Sequence, residues 1–198
     1  MIKLFADGAD KQGILEMYSD PSIDGFTTNP TLMRKAGITD YVTFAKEILN
    51  EITDKPVSFE VFADEYKEME QQALKISKWG ENVYVKIPVV NSRGFFSGKV
   101  INILSKEGMK LNITAVYTTN QVKKILKCIN KNSKTIISIF SGRMSDVGKD
   151  PVPIIKESVR LTRKMKNVEM LWASTREAYN YLQAKNCGCS IITMPSTI

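Results

Sequence analysis

A chain of 198 residues with 43% hydrophobic content is long enough to bury one sizeable core, and no stretch approaches the roughly 20 uninterrupted apolar residues of a membrane span. The opening MIKLFADGAD lacks the apolar run of a signal peptide, so a cytoplasmic protein without membrane association is expected. The net charge of +7 favours anionic partners, while lysines spread along helical segments, with no long basic run and no aromatic interleaving, argue against nucleic acid.

Short apolar runs rich in β-branched residues recur along the chain, each followed by an amphipathic stretch, as in repeated βα units. Strands are expected at 2–6, 25–28, 57–62, 83–88, 111–116, 135–140, 168–172 and 190–194. Helices are expected at 10–18, 30–35 with 39–52, 65–78, 98–107, 119–130, 151–166 and 175–184. Within 65–78, Met69, Ala73 and Ile76 keep one face apolar while Lys67, Glu68, Glu70 and Lys75 supply the solvated remainder. Eight evenly spaced strands, apolar on both faces and joined by short crossovers, favour a single α/β (β/α)8 TIM barrel over residues 1–198 rather than an open doubly wound sheet. The chain stops a few residues after the eighth strand, so the eighth helix is missing from this sequence. Truncation, an unresolved tail or coverage by a neighbouring subunit would each account for that gap.

In such a barrel the functional face lies at the C-terminal ends of the strands, so polar residues in or just after apolar strands are the ones to collect. They are Asp7 after strand 1; Thr27, Thr28 and Asn29 in strand 2; Glu60 in strand 3; Lys86 in strand 4; and Asn112 and Thr114 in strand 5. Ser138 and Phe140 share one face of strand 6, Arg143 follows in a glycine-containing loop, and Ser174 and Arg176 follow strand 7, with Arg176 opening the next helix.

The absence of histidine removes Ser-His and Cys-His triads and leaves acid–base work to carboxylates, lysine, tyrosine or water. Three cysteines, Cys128, Cys187 and Cys189, are too few for a disulfide framework, and the Cys-Gly-Cys pair has no partner cluster for zinc, so no metal is expected. Lys86, within VYVKIPVV, is the chemically loaded residue. Burial disfavours the charged ammonium, and a neutral amine is the nucleophile that forms a Schiff base with a carbonyl substrate. Asp7 and Glu60 could each pair with Lys86, but two carboxylates exceed what neutralisation needs, which assigns proton transfer to at least one. Arg143 and Arg176 together read as a phosphate clamp.

The stretches FADGAD at the start, GFTTNP at 25–30, FEVFAD at 59–64, VKIPV at 85–89, LNITAVY at 111–117, FSGR at 140–143, WAST with Arg176, and CSIITMP near the end resemble the transaldolase family over nearly the whole chain. The resemblance is to its small-subunit branch, which also contains the fructose-6-phosphate aldolases. It implies that Lys86 forms the Schiff base with C2 of a ketose phosphate, fructose 6-phosphate or sedoheptulose 7-phosphate, in the non-oxidative pentose phosphate pathway. A dihydroxyacetone unit would then pass to an aldose phosphate, erythrose 4-phosphate or glyceraldehyde 3-phosphate. By the same resemblance Asp7 takes the C4 hydroxyl proton, and Glu60 and Thr114 hold a relay water. Thr27, Asn29, Asn112, Ser138 and Phe140 line the dihydroxyacetone site, and Arg143, Ser174 and Arg176 hold the phosphate. No cofactor is implied, and a homo-oligomer, a ring pentamer or decamer, is.

The chain departs from the family's usual pattern at Gly8, Val90, Ser145 and Trp172, whose bulky ring is expected to narrow the site. Glu60 and Phe140 stand where the aldolases typically carry glutamine and tyrosine, which favours transfer over aldol release. The competing readings are a fructose-6-phosphate aldolase and a non-catalytic barrel used as a binding scaffold.

Overall fold

The computed structural model describes residues 1–198, and its eight parallel strands close into a barrel in chain order. The strands are β1 (Lys3–Asp7), β2 (Ile23–Thr27), β3 (Val57–Glu60), β4 (Val83–Pro88), β5 (Leu111–Val116), β6 (Thr135–Phe140), β7 (Val168–Ala173) and β8 (Ile191–Pro195). Closure comes from β8 pairing with β1, Phe5 opposite Thr193 and Asp7 opposite Pro195. The helices are α1 (Lys11–Tyr18), α2 (Pro30–Lys35), α3 (Tyr41–Glu51), α4 (Tyr66–Ile76), α5 (Gly98–Lys106), α6 (Thr119–Leu126), α7 (Ser141–Ser145), α8 (Val152–Thr162) and α9 (Tyr179–Cys187). Residues 196 and 197, after β8, form a turn. No helix is long and apolar enough to cross a membrane.

Strand alternation sorts the side chains into two compartments. Outward-facing residues such as Val57, Phe59, Val85, Ile87, Ile113 and Ile137 form one large buried cluster with the helices, among them Met69, Ala73 and Ile76 of α4. Inward-facing residues stack in layers along the barrel axis. The lower layer is apolar: Phe5, Tyr84, Ile136, Leu171 and Ile191 are all buried there. Gly25 makes room for it, since a β-carbon at that position would sit 2.7 Å from the Phe5 ring. Above it lies a polar layer containing Thr27, Lys86, Asn112, Ser138 and Thr193.

Three expectations need correction. The loop expected to carry Arg143 is instead the helical turn α7, stabilised where Asp146 N–H donates to Gly142 O at 2.8 Å. Arg176 precedes α9 rather than opening it, because the helix begins only at Tyr179 after a turn in which Asn180 Oδ1 accepts from Arg176 N–H. Trp172 does not narrow the site. Its β7 neighbours Leu171 and Ala173 face the interior, so Trp172 points outward and is buried in the outer cluster, in register with Ile139 and Ile192.

Candidate active site

A cavity of about 610 Å³ opens at the C-terminal end of the barrel, lined by twelve of the thirteen side chains singled out in the sequence together with Thr31, Lys35, Thr175, Thr193 and others. Thr28 alone is left out, fully buried with its hydroxyl donating to Ser58 O at 2.9 Å. Lys86 lies at its base, 6% exposed, between Glu60 of β3 and Asn112 of β5, its register partners. Its Nζ is 3.1 Å from Glu60 Oε2 and donates to the carbonyl oxygen of Thr28 at 2.7 Å. Of the three ammonium protons, these contacts engage two. The ion pair therefore forms with Glu60, while Asp7 stays beyond ion-pair distance. A buried pair of this kind repays its desolvation only with good geometry and further hydrogen bonds, and the Thr28 carbonyl is one.

Asp7 occupies the last position of β1, opposite Thr27. Its carboxylate accepts from Thr27 Oγ1 at 2.8 Å, and the same hydroxyl lies 2.6 Å from Thr193 Oγ1. Burial pushes the Asp7 carboxyl above the usual carboxylate range, against the opposing pull of the Lys86 charge and the Thr27 hydrogen bond. A carboxyl so placed takes and returns a proton more readily near neutrality. Thr193 was missed in the sequence, although it is a polar residue within an apolar strand, the signal that found the others.

On the far side of Lys86, Asn112 is fully buried, donating from Nδ2 to Ser58 Oγ at 3.1 Å and accepting from Ser138 Oγ at 2.7 Å. Both groups thus arrive oriented at the cavity wall. The Thr114 hydroxyl has no hydrogen-bond partner within the protein, and the residue after it, Ala115, adopts a left-handed backbone (φ 56°) where the β5–β6 register shifts. Phe140 packs edge-on against Tyr117, ring centres 5.8 Å apart. Asn29 has a structural duty as well: its Oδ1 caps α2 by accepting from Leu32 N–H at 3.0 Å, which aims the remaining amide protons.

The rim is cationic. Arg176 is held by Asp146 through paired contacts, Nε to Oδ1 at 3.0 Å and Nη2 to Oδ2 at 2.6 Å, and its Nη1 donates to Ser174 O and Oγ at 3.0 and 3.1 Å. Arg176 in turn holds the Asp146 carboxyl below the usual carboxylate range. Arg143 is exposed and unpaired. Asp146 was not singled out in the sequence, since nothing local links it to an arginine 30 residues away. No group of three or more His, Cys, Asp or Glu side chains is placed to hold a metal ion.

The sequence model of the family described as Transaldolase/Fructose-6-phosphate aldolase matches residues 4–198. A Thermoanaerobacter protein named "Probable transaldolase" is 35% identical over 195 residues, 98% of this chain and 86% of that protein. One of the same name from Methanococcus maripaludis is 36% identical with the same coverage. Among solved structures, 3-hexulose-6-phosphate synthase from Salmonella typhimurium superposes with a TM-score of 0.67 over 100% of this chain and 90% of its own, at 12% identity, a likeness of fold. With nearly its whole length matched and its polar layer gathered in one cavity around Lys86, the chain belongs to the transaldolase/fructose-6-phosphate aldolase family.

Proposed function

We propose that the protein is a transaldolase of the non-oxidative pentose phosphate pathway, moving a dihydroxyacetone unit from fructose 6-phosphate or sedoheptulose 7-phosphate to erythrose 4-phosphate or glyceraldehyde 3-phosphate. The observation that carries this reading is the buried Lys86 ammonium with Glu60 3.1 Å away, at the base of a cavity whose rim bears Arg143 and Arg176. Glu60 accepts the Lys86 proton, and the neutral amine adds to the C2 carbonyl. Loss of water then gives the protonated imine, with protons relayed through a water at Thr114. Asp7 removes the C4 hydroxyl proton as the C3–C4 bond breaks, and the bonding pair passes to the imine to give an enamine. The aldose phosphate leaves as an aldehyde, and the enamine adds to the acceptor aldehyde by the reverse steps.

Glu60 and Phe140 favour transfer over release. Neither an ionised carboxylate nor a phenyl ring carries a hydrogen-bond donor to offer the enamine, unlike the amide and the phenol that the aldolases typically carry there. Borohydride reduction in the presence of fructose 6-phosphate is the test. The wild type gains a covalent adduct on Lys86, whereas Lys86→Met, which nearly matches the buried stem, folds and gains none. A wild type that gains no adduct is a scaffold, and the reading falls.

A further inference from the structure

The charges lining the cavity do not balance. Of its four cations, Lys86 is matched by Glu60 and Arg176 by Asp146, while Arg143 and Lys35 have no carboxylate within ion-pair distance; the remaining lining carboxylate, Asp7, is within ion-pair distance of none of the four. Lys35 belongs to α2, whose Thr31, Leu32 and Lys35 all line the cavity, Thr31 and Lys35 lying four apart and Leu32 and Lys35 three apart, spacings that share one side of a helix. That helix follows β2, and α7 with Arg143 follows β6, four strands further round the closed barrel. The two unmatched cations therefore approach the opening from opposite walls. An exposed helical lysine is ordinarily a solvated charge. Lys35 differs in lining the cavity and in having no acidic neighbour to neutralise it.

We propose that Lys35 is a third phosphate-binding cation of this site, supplying with Arg143 the charge that neutralises the substrate phosphate. A phosphate monoester carries about −1.5 to −2 at neutral pH, which two free cations balance. Arg176 is already matched in charge by Asp146, so its contribution is direction, through a guanidinium held in place. Lys35, a point charge on a flexible four-carbon stem, closes over the anion from the α2 side. The proposal rests on the reading of the cavity as a sugar-phosphate site.

The test uses the full chain as wild type, Lys35→Met, Lys35→Arg and, as a control at the opposite end of the barrel, Lys127→Met. The dissociation constant of inorganic phosphate is measured by phosphorus NMR titration, and KM and kcat are measured with fructose 6-phosphate. Losing a charge-assisted contact weakens phosphate binding about tenfold in Lys35→Met. The same change falls on KM rather than kcat, Lys35→Arg restores most of the affinity, and Lys127→Met matches the wild type. Equal phosphate affinity in wild type and Lys35→Met overturns the proposal, as does an equal loss in Lys127→Met. Borohydride trapping of unphosphorylated dihydroxyacetone on Lys86 tests the underlying reading separately. Trapping with unchanged phosphate affinity removes Lys35 alone, whereas loss of phosphate binding in Lys35→Met without any trapping in the wild type retains the anion site and removes the transaldolase.

Discussion

A β-carbon on Gly142 would overlap the backbone carbonyl oxygen of Ser174, so the turn that carries Arg143 and the segment that carries Arg176 touch through bare backbone. Ser174 adopts a left-handed backbone (φ 65°) there, and the same carbonyl accepts from Arg176 Nη1. Gly142→Ala must push the two segments apart. Overpacking of this kind costs about 1–3 kcal/mol, or roughly 2–4 °C of melting temperature per kcal/mol for a chain of this size. The KM for phosphorylated substrates should rise with it. Gly8→Ala is the comparison, because a β-carbon there meets only Ile14 at 3.9 Å and should leave the melting temperature near wild type. Calorimetry on both variants decides, and an unchanged Gly142→Ala would contradict the close approach.

Asp7 sets stability against chemistry. Its folded carboxyl is raised above the unfolded value of about 3.9, so the folded state binds this proton more tightly than the unfolded chain does. The stabilising contribution is complete below the unfolded value and is lost as pH rises through the folded one. Asp7→Asn, which cannot titrate, should therefore melt higher than wild type at pH 7 while losing turnover. That advantage should shrink as the pH falls toward about 4. A melting-temperature difference that stays constant from pH 7 to pH 4 would show that the carboxyl is not raised.

Asp146 does not line the cavity and touches the proposed phosphate site only through Arg176. Its removal should spare the fold, because exposed ion pairs contribute little to stability, but it frees the guanidinium to wander. Asp146→Asn is expected to keep the wild-type melting curve and raise the KM for fructose 6-phosphate several-fold, with little change for unphosphorylated dihydroxyacetone. Equal effects on both substrates would place Asp146 outside phosphate recognition.

Phe140→Tyr adds a hydroxyl to the cavity in which the proposed enamine would form on Lys86, and Glu60→Gln exchanges an acceptor for a mixed donor and acceptor. The double variant should raise release of free dihydroxyacetone relative to transfer when fructose 6-phosphate is supplied first alone and then with erythrose 4-phosphate. A product ratio equal to wild type would remove these two positions as the basis for preferring transfer.

The strands were legible in the sequence because β-branched runs at even spacing have few other uses, and the site because a polar side chain inside such a run demands a reason. Lys86, Asn112 and Ser138 stand out on that ground alone. The pairing was less accessible: both Asp7 and Glu60 suit Lys86 by charge, and only the β3–β4 register brings one of them to 3.1 Å. Trp172 was misread because, past Glu169 at its start, β7 is apolar on both faces, so the direction of the ring is weakly marked in the pattern. The five residues of α7 are too few for a helical period to emerge, and Asp146 gains its partner only when β6 and β7 lie side by side.

The apolar floor made by Phe5 over Gly25, with Ile136, Leu171 and Ile191, plugs the barrel from below. The cavity thus has one doorway. On the proposed chemistry the departing aldehyde must go out by the route the incoming one uses, and the two cannot pass. Turnover then alternates strictly, with double-reciprocal plots at several acceptor concentrations running parallel, and an excess of acceptor competing with the donor for the vacant enzyme.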